Sequence, residues 1–296
     1  MAIDTLPEPS IPITTPFRPR LGFLTATPII AVASISLALI IAMAILAPLL
    51  APHDPQLLAP AQRLKPSSAQ FLLGTDAYGR DVLSRIIYGG RISLLIGLGA
   101  AVFSISIGLL IGLVSGFFKW VDAVMMRVMD GLMAIPSILL AIAVVSLSGA
   151  SLMTVLVAIT IPEIPRVARL VRSVVLSARE EPYVEAAISV GTSLPKIMWR
   201  HLMPNTVAPL IVQGTYVCAS AVLTEAILSF LGVGLPSEIP TWGNIMAEGR
   251  VQFNQFPHNV LFPGVFLTLT VLAVNMLGDG LRDTLDPKFN KRGGAK

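Results

Sequence analysis

Charge is what this chain has least of. Only 13% of its 296 residues are Asp, Glu, Lys or Arg, where soluble domains carry about 25%. With 54% hydrophobic residues and a mean hydropathy of +0.78, it cannot cover a water-facing surface with polar side chains. It must be mostly embedded in a bilayer. Cysteine is nearly absent too: Cys218 stands alone inside an apolar run. That excludes an intrachain disulfide and a multi-cysteine metal site, and leaves Cys218 a packing residue. The three histidines (His53, His201, His258) fall in separate loops and form no HExxH motif; no metal site is expected. The GxGD motif of an aspartyl intramembrane protease is missing, since residues 276 to 279 read MLGD and no second aspartate lies in an apolar run. Neither a Walker A loop nor GxGxxG is present, so the chain does not bind and hydrolyse ATP alone. A self-contained secondary transporter should show internal repeats and intramembrane charge for coupling ions; here there is one carboxylate and no evident repeat. The net charge of +4 would suggest nucleic acid in a soluble protein. In a membrane protein the placement of the basic residues matters more, and no nucleic-acid partner is expected.

What the chain does have is long apolar runs. About 20 residues are needed to cross the hydrocarbon, and no charge lies between Arg20 and Asp54. That run exceeds the 7–15-residue core of a signal peptide and follows the acidic Asp4 and Glu8, so it reads as an anchor. A second window, Arg91 to Lys119, carries Gly108, Gly112 and Gly116 at every fourth position, a stripe that lets two helices approach closely in lipid. The 32-residue window Gly131–Pro162 is long for one span and short for two. It is split at the turn formers SLSGAS, 146 to 151, its second half continuing past Pro162 and Pro165. There Arg166, Arg169 and Arg172 would snorkel or project into water. Further spans cover about 206–231 and 260–277. Six spans with the N terminus inside place fifteen of the twenty-one Lys and Arg residues on the cytoplasmic side, in keeping with the positive-inside rule.

One cytoplasmic stretch suits no bilayer: EAAISVGTSLPKIMWRHLMPN, 185 to 205. Pro182 suits a first helical turn, Glu180, Glu181 and Glu185 crowd the N-terminal half that favours anions, and Gly191 stops the helix. Thr192 or Ser193 can cap a second helix with Pro195 in its first turn. Lys196, Arg200 and His201 then alternate with Ile197, Met198, Trp199 and Leu202, and Pro204 is expected to end it before the next span. Such an amphipathic pair can lie on lipid headgroups or dock in a protein groove.

The spacing of Glu185, Ala186, Ala187, Gly191 and Pro204 resembles the EAA loop of permease subunits in binding-protein-dependent ABC importers. His201 and Met203 stand where the broad pattern has Ile and Leu, although HxxPN endings occur in the peptide-permease branch. Three further stretches resemble C-type subunits of dipeptide, oligopeptide and nickel importers: LLGTDAYGRDVLSRIIYGGRISLLIG (72–97), ILSFLGVGLP with PTWGNIM (227–246) and MLGDGLRDTLDPK (276–288). The resemblance implies an all-α membrane protein of six transmembrane helices. One N-terminal helix (28–51) would follow a cytoplasmic tail (1–27). An extracytoplasmic segment with an interfacial helix (52–91) would lead into a five-helix type I permease core (92–281) containing the coupling loop 183–204, and a second tail (282–296) would close the chain. It implies that the loop, through Glu185, Ala186, Ala187, Gly191, Pro195, Lys196, Arg200, His201 and Pro204, inserts into a cytoplasmic ATPase. It implies a second homologous permease in a heterodimer, two ATPases that bind ATP and Mg, an extracytoplasmic substrate-binding protein, membrane lipid around it, and no cofactor in this chain. The site would be a bacterial inner membrane, with both termini cytoplasmic and di- or oligopeptides as cargo; nickel and glutathione are moved by near relatives.

Two further readings concern single residues. In GRDVLSRIIYGG, Asp81 and Arg85 are spaced to pair at i,i+4 on the polar side of an outer interfacial helix. Glu225, inside the fifth span, should face protein or water, either as a translocation-path residue or as glue between helices. Asn275 reads as glue, and GDGLRDTLDPK as a solvated helix end stopped by Pro287, with a salt bridge from Asp279 or Arg282 to the coupling loop as the alternative.

Overall fold

The computed structural model describes residues 28–285; the expected N-terminal tail, and the C-terminal tail beyond 285, lie outside the described residues. Within them the chain is helical, with one isolated bridge, Thr75 to Asp81, and no strand. Helix α1 (Pro28–Ile45) breaks at Leu46 before the single turn α2 (Ala47–Leu50). A long connection leads to α3 (Val82–Phe117), which is followed by α4 (Lys119–Ala134), α5 (Ser137–Ser148) and α6 (Leu152–Ala178). The short α7 (Pro182–Ser189) and α8 (Leu194–Ile197) precede α9 (Met203–Phe230), α10 (Trp242–Gly249) and α11 (His258–Leu285).

Four helices or helical runs are long and apolar enough to cross a bilayer: α1, α3, the run Leu194–Phe230 and α11. Counting the pair α4–α5 as one broken span, bent by 89°, makes five. The bend has a local cause: Pro136 forces Ile135 out of the helical region to φ −90°, ψ 127°. The expected six is therefore not reached on length and composition. The shortfall is α6, which carries Glu163, Arg166, Arg169 and Arg172. The split at SLSGAS does occur: Gly149 turns the chain and the Ser151 side chain caps α6. The helix then runs unbroken through Pro162 and Pro165.

The expected interfacial helix is corrected. Val82–Phe117 is one helix of 36 residues, so the boundary drawn at 91 falls inside it. Asp81 does not pair with Arg85; it caps the helix by accepting from the Ser84 N–H at 2.9 Å.

Helix α3 is the central post, lending side chains to three clusters. One joins it to α5, α6 and α9 through Ile96, Val145, Ile159 and Leu228. A second joins it to α6 and the 182–202 loop. The third, around Trp242 and Ile86, gathers α1, α9, α10 and α11. The glycine stripe sets a close seam between α3 and α6. A Cβ at Gly108, Gly112 or Gly116 would come within 2.5–2.7 Å of Val167, Val171 or Val175 respectively. Glycine and valine repeat every fourth residue on the two facing helices, which suits lipid, where packing rather than water expulsion holds helices together.

Candidate functional site: the 180–204 loop and the opposite end

The loop is built from its inner side. Val184, Ile197 and Leu202 are fully buried and pack with Leu113, Val167, Val171, Val175, Ala178 and Val217. Helix α7 starts at Pro182 with Glu185 in its first turn. It ends where the Gly191 N–H donates to Ile188 O at 2.9 Å and the Thr192 N–H to Ala187 O at 3.0 Å. Gly191 has φ +80°, a left-handed conformation that costs other L-residues about 1–2 kcal/mol. Asn205 Nδ2 donates to the Tyr183 hydroxyl at 3.0 Å and to His201 O at 2.6 Å, closing α7 onto the start of α9. A cleft of about 460 Å³ beside this contact is lined by Ser173, Ser177, Glu181, Tyr183 and Asn205.

The second helix of the loop is corrected. Pro204 does not end it. A π turn over Met198–Leu202 joins α8 to α9, with the Met203 N–H bonded to Met198 O. The wider turn lets the ring of Pro204 enter without breaking the helix.

With three apolar anchors turned inward, the other side of the loop is left open. Glu185, Ala186, Gly191, Pro195, Lys196, Arg200 and Pro204 are exposed, and Ala187 and His201 half-buried. Val190 is 85% exposed and Trp199 65%, and none of Glu180, Glu181, Glu185, Lys196 or Arg200 forms an ion pair with a described residue. Around the loop, however, charges are spoken for. Arg169 meets Asp130 at 2.5 Å, and Arg172 holds Asp122 through two contacts, one at 2.6 Å, so these arginines clamp α4 to α6 rather than snorkel. Arg166 pairs with Glu163 at 3.1 Å, and Glu163 also accepts from Ser220 of α9 at 3.1 Å. Arg179 donates to Gly116 O and Phe117 O, each at 3.3 Å, finishing the carbonyl end of α3.

The opposite end is closed. Asp76 accepts from the N–H groups of Tyr78 and Arg80 at 2.8 and 2.9 Å and from Arg80 Nε and Arg85 Nη1, each at 2.6 Å. Arg80 and Arg85 both reach Glu248 of α10, at 2.5 and 2.6 Å. Arg85 is 1% exposed, a burial tolerable only because two carboxylates and Ser237 O surround it. Gly79 makes the turn possible, since a Cβ there would meet Ala59 O at 1.8 Å. Beneath this layer Glu225 is 0% exposed. It accepts from the hydroxyls of Ser229 and Thr241, both at 2.8 Å. In this conformation it is enclosed within the chain and ties α9 to α10. Asn275 makes no side-chain hydrogen bond to a described residue. Asp279 receives the hydroxyl of Tyr216 in α9 rather than reaching the 180–204 loop.

Residues 104–291 match the model of a family described as the binding-protein-dependent transport system inner membrane component. This chain belongs to that family. It is a multi-pass inner-membrane permease of an importer that works with a binding protein and an ATPase. It is 52% identical over 84% of its length, and 86% of the relative's, to a protein of Sinorhizobium fredii named a probable peptide ABC transporter permease, y4tQ. With the dipeptide transport system permease DppC of Alkalihalophilus pseudofirmus it shares 41% over 96% of its length and 93% of the relative's. With the glutathione transport system permease GsiD of Pectobacterium atrosepticum it shares 42% over 85% and 84%. The permease's Glu248 gave no sequence signal, because its partners Arg80 and Arg85 lie 168 and 163 positions away, and the tie of Glu163 to Ser220 spans 57.

Proposed function

We propose that this permease is one of two homologous subunits, a heterodimer, that enclose a path for di- or oligopeptides. In this reading its termini lie in the cytoplasm, and two cytoplasmic ATPases dock on its 183–204 loop and that of its partner. ATP and Mg belong to those ATPases, and this chain carries no cofactor. The observation that carries the reading is the two-sided loop: Val184, Ile197 and Leu202 anchor it inside the bundle, while on its outer side Val190 and Trp199 stand exposed and Glu185, Lys196 and Arg200 form no ion pair with a described residue. Apolar side chains exposed beside unpaired charge at a water-facing end suit a protein groove. Closure of the ATPases would press on a loop whose second half is continuous with a transmembrane helix, and so would move that helix directly. The peptide cargo is supported by relatives named for peptides and dipeptides, and glutathione, itself a tripeptide-like molecule, by a relative named for it.

Uptake of a labelled dipeptide by cells carrying or lacking this subunit tests the reading, with labelled glutathione and Ni²⁺ as parallel channels. Loss of dipeptide uptake is expected. Unchanged dipeptide uptake with loss of another channel would replace the cargo, and no change in any channel would overturn the proposal.

A further inference from the structure

From Leu194 to Phe230 the chain is one helical run of 37 residues, about 55 Å at 1.5 Å per residue. It reaches from the open loop to the opposite surface. Near its far end sits the buried carboxyl of Glu225. Its Oε1 accepts two hydroxyl bonds, from Ser229 and from Thr241, while its Oε2 is buried and accepts none from a described residue. Thr241 is also the N-cap of α10, accepting from the Asn244 N–H at 3.0 Å.

Helix α10 packs on Phe266 and Leu267 of α11, holds the 235–239 segment through Asn244, and is tied to α3. Trp242 Nε1 donates to Ile86 O at 3.1 Å, the Trp242 N–H donates to Ser93 Oγ at 3.3 Å, and Glu248 holds Arg85 at 2.6 Å. Toward α9 its buried polar link is the Glu225–Thr241 bond; the contact of Arg250 with Phe230 O is exposed. A carboxyl whose two hydroxyl bonds both fall on one oxygen has a second arrangement available, in which the donors pass from Oε1 to Oε2 as α9 turns or slides. Bonds in such a buried site are directional and strong, and an element with two discrete arrangements is what coupling between distant sites requires.

We infer that the Glu225–Thr241 pair is the latch joining α9 to the outer layer, through which docking of the loaded binding protein is felt at the coupling loop. This rests on the reading of the loop as the ATPase contact. Glu225 acts here as a positioning residue and touches no cargo.

The test uses the assembled importer in lipid nanodiscs, with ATP hydrolysis measured without binding protein, with dialanine-loaded binding protein and with the same protein loaded with glutathione. A wild-type importer that neither loaded form stimulates would overturn the proposed function itself, before any variant is compared. Whichever loaded form stimulates it then serves as the probe, so an error in cargo class leaves the latch test intact. Thr241→Val keeps the shape of the side chain and removes the hydroxyl. It should assemble, hydrolyse ATP at the basal rate and lose stimulation by about fivefold or more, the lower range of site-to-site coupling. Thr241→Ser keeps the donor and should respond like wild type, whereas Glu225→Gln keeps one acceptor but puts an amide donor in place of Oε2 and should lose stimulation as Thr241→Val does. Combining Thr241→Val with Glu225→Gln should be no worse than Thr241→Val alone. Wild-type stimulation in Thr241→Val would overturn the latch, and so would an equal loss in Thr241→Ser.

Discussion

The two ends of this permease are finished differently. At the end bearing Asp76, Arg80, Arg85 and Glu248, charges are buried and answered within the chain. At the loop end Glu185, Lys196 and Arg200 are exposed without ion partners among the described residues, beside Val190 and Trp199. The first end completes itself; the second is left for another molecule to complete. The contrast separates substitutions that unfold the protein from those that leave it folded and idle.

The largest effect on stability is expected at the closed end. Arg85→Ala leaves Asp76 and Glu248 sharing only Arg80, and removing one member of a buried charge set costs about 3–5 kcal/mol. Thermal unfolding of the purified importer in detergent should shift strongly downward. The α3–α6 seam comes next. Gly112→Val would drive a Cβ to 2.5 Å from that of Val171, with an expected cost of about 1–3 kcal/mol, whereas Gly131→Ala in α4, with nothing within 4 Å, should be neutral or gain up to about 1 kcal/mol. Equal melting shifts for the two would break the account of the stripe.

At the open end the order of stability and function reverses. Gly191→Pro cannot adopt φ +80° and loses the N–H bonded to Ile188 O. The subunit should still insert, yet dipeptide uptake should be lost while ATP hydrolysis continues, and normal uptake would contradict the lever. Smallest in stability is Glu185→Lys, within about 0.5 kcal/mol as befits an exposed site. It should nevertheless reduce the stimulation of the ATPases by loaded binding protein; full stimulation would show that the loop's acidic side makes no contact.

Much of this was legible in the sequence where the signal is local. The glycine stripe declared itself by its spacing, the break before α6 by its turn formers, and the loop by Pro182, Gly191 and Pro195. What failed was decided at a distance or by compensation. An amphipathic start to α3 reads as an interfacial helix only if Arg85 faces water, and Glu248, far along the chain, is what lets it be buried. Pro204 reads as a helix end unless a π turn precedes it. Glu225 offered two readings because the hydroxyl it binds, that of Thr241, lies on a separate element beyond the span. The arginines of α6 looked fit to snorkel because Asp122 and Asp130 belong to a helix, α4, whose bend at Pro136 is what lays it alongside.

The most direct measurement is thiol labelling of Val190→Cys, in a Cys218→Ala background, on inside-out membrane vesicles. The account predicts rapid modification when this permease is present without its ATPases and protection once they are co-assembled. Equal labelling in both states, or no labelling in either, would contradict an open loop that an ATPase covers.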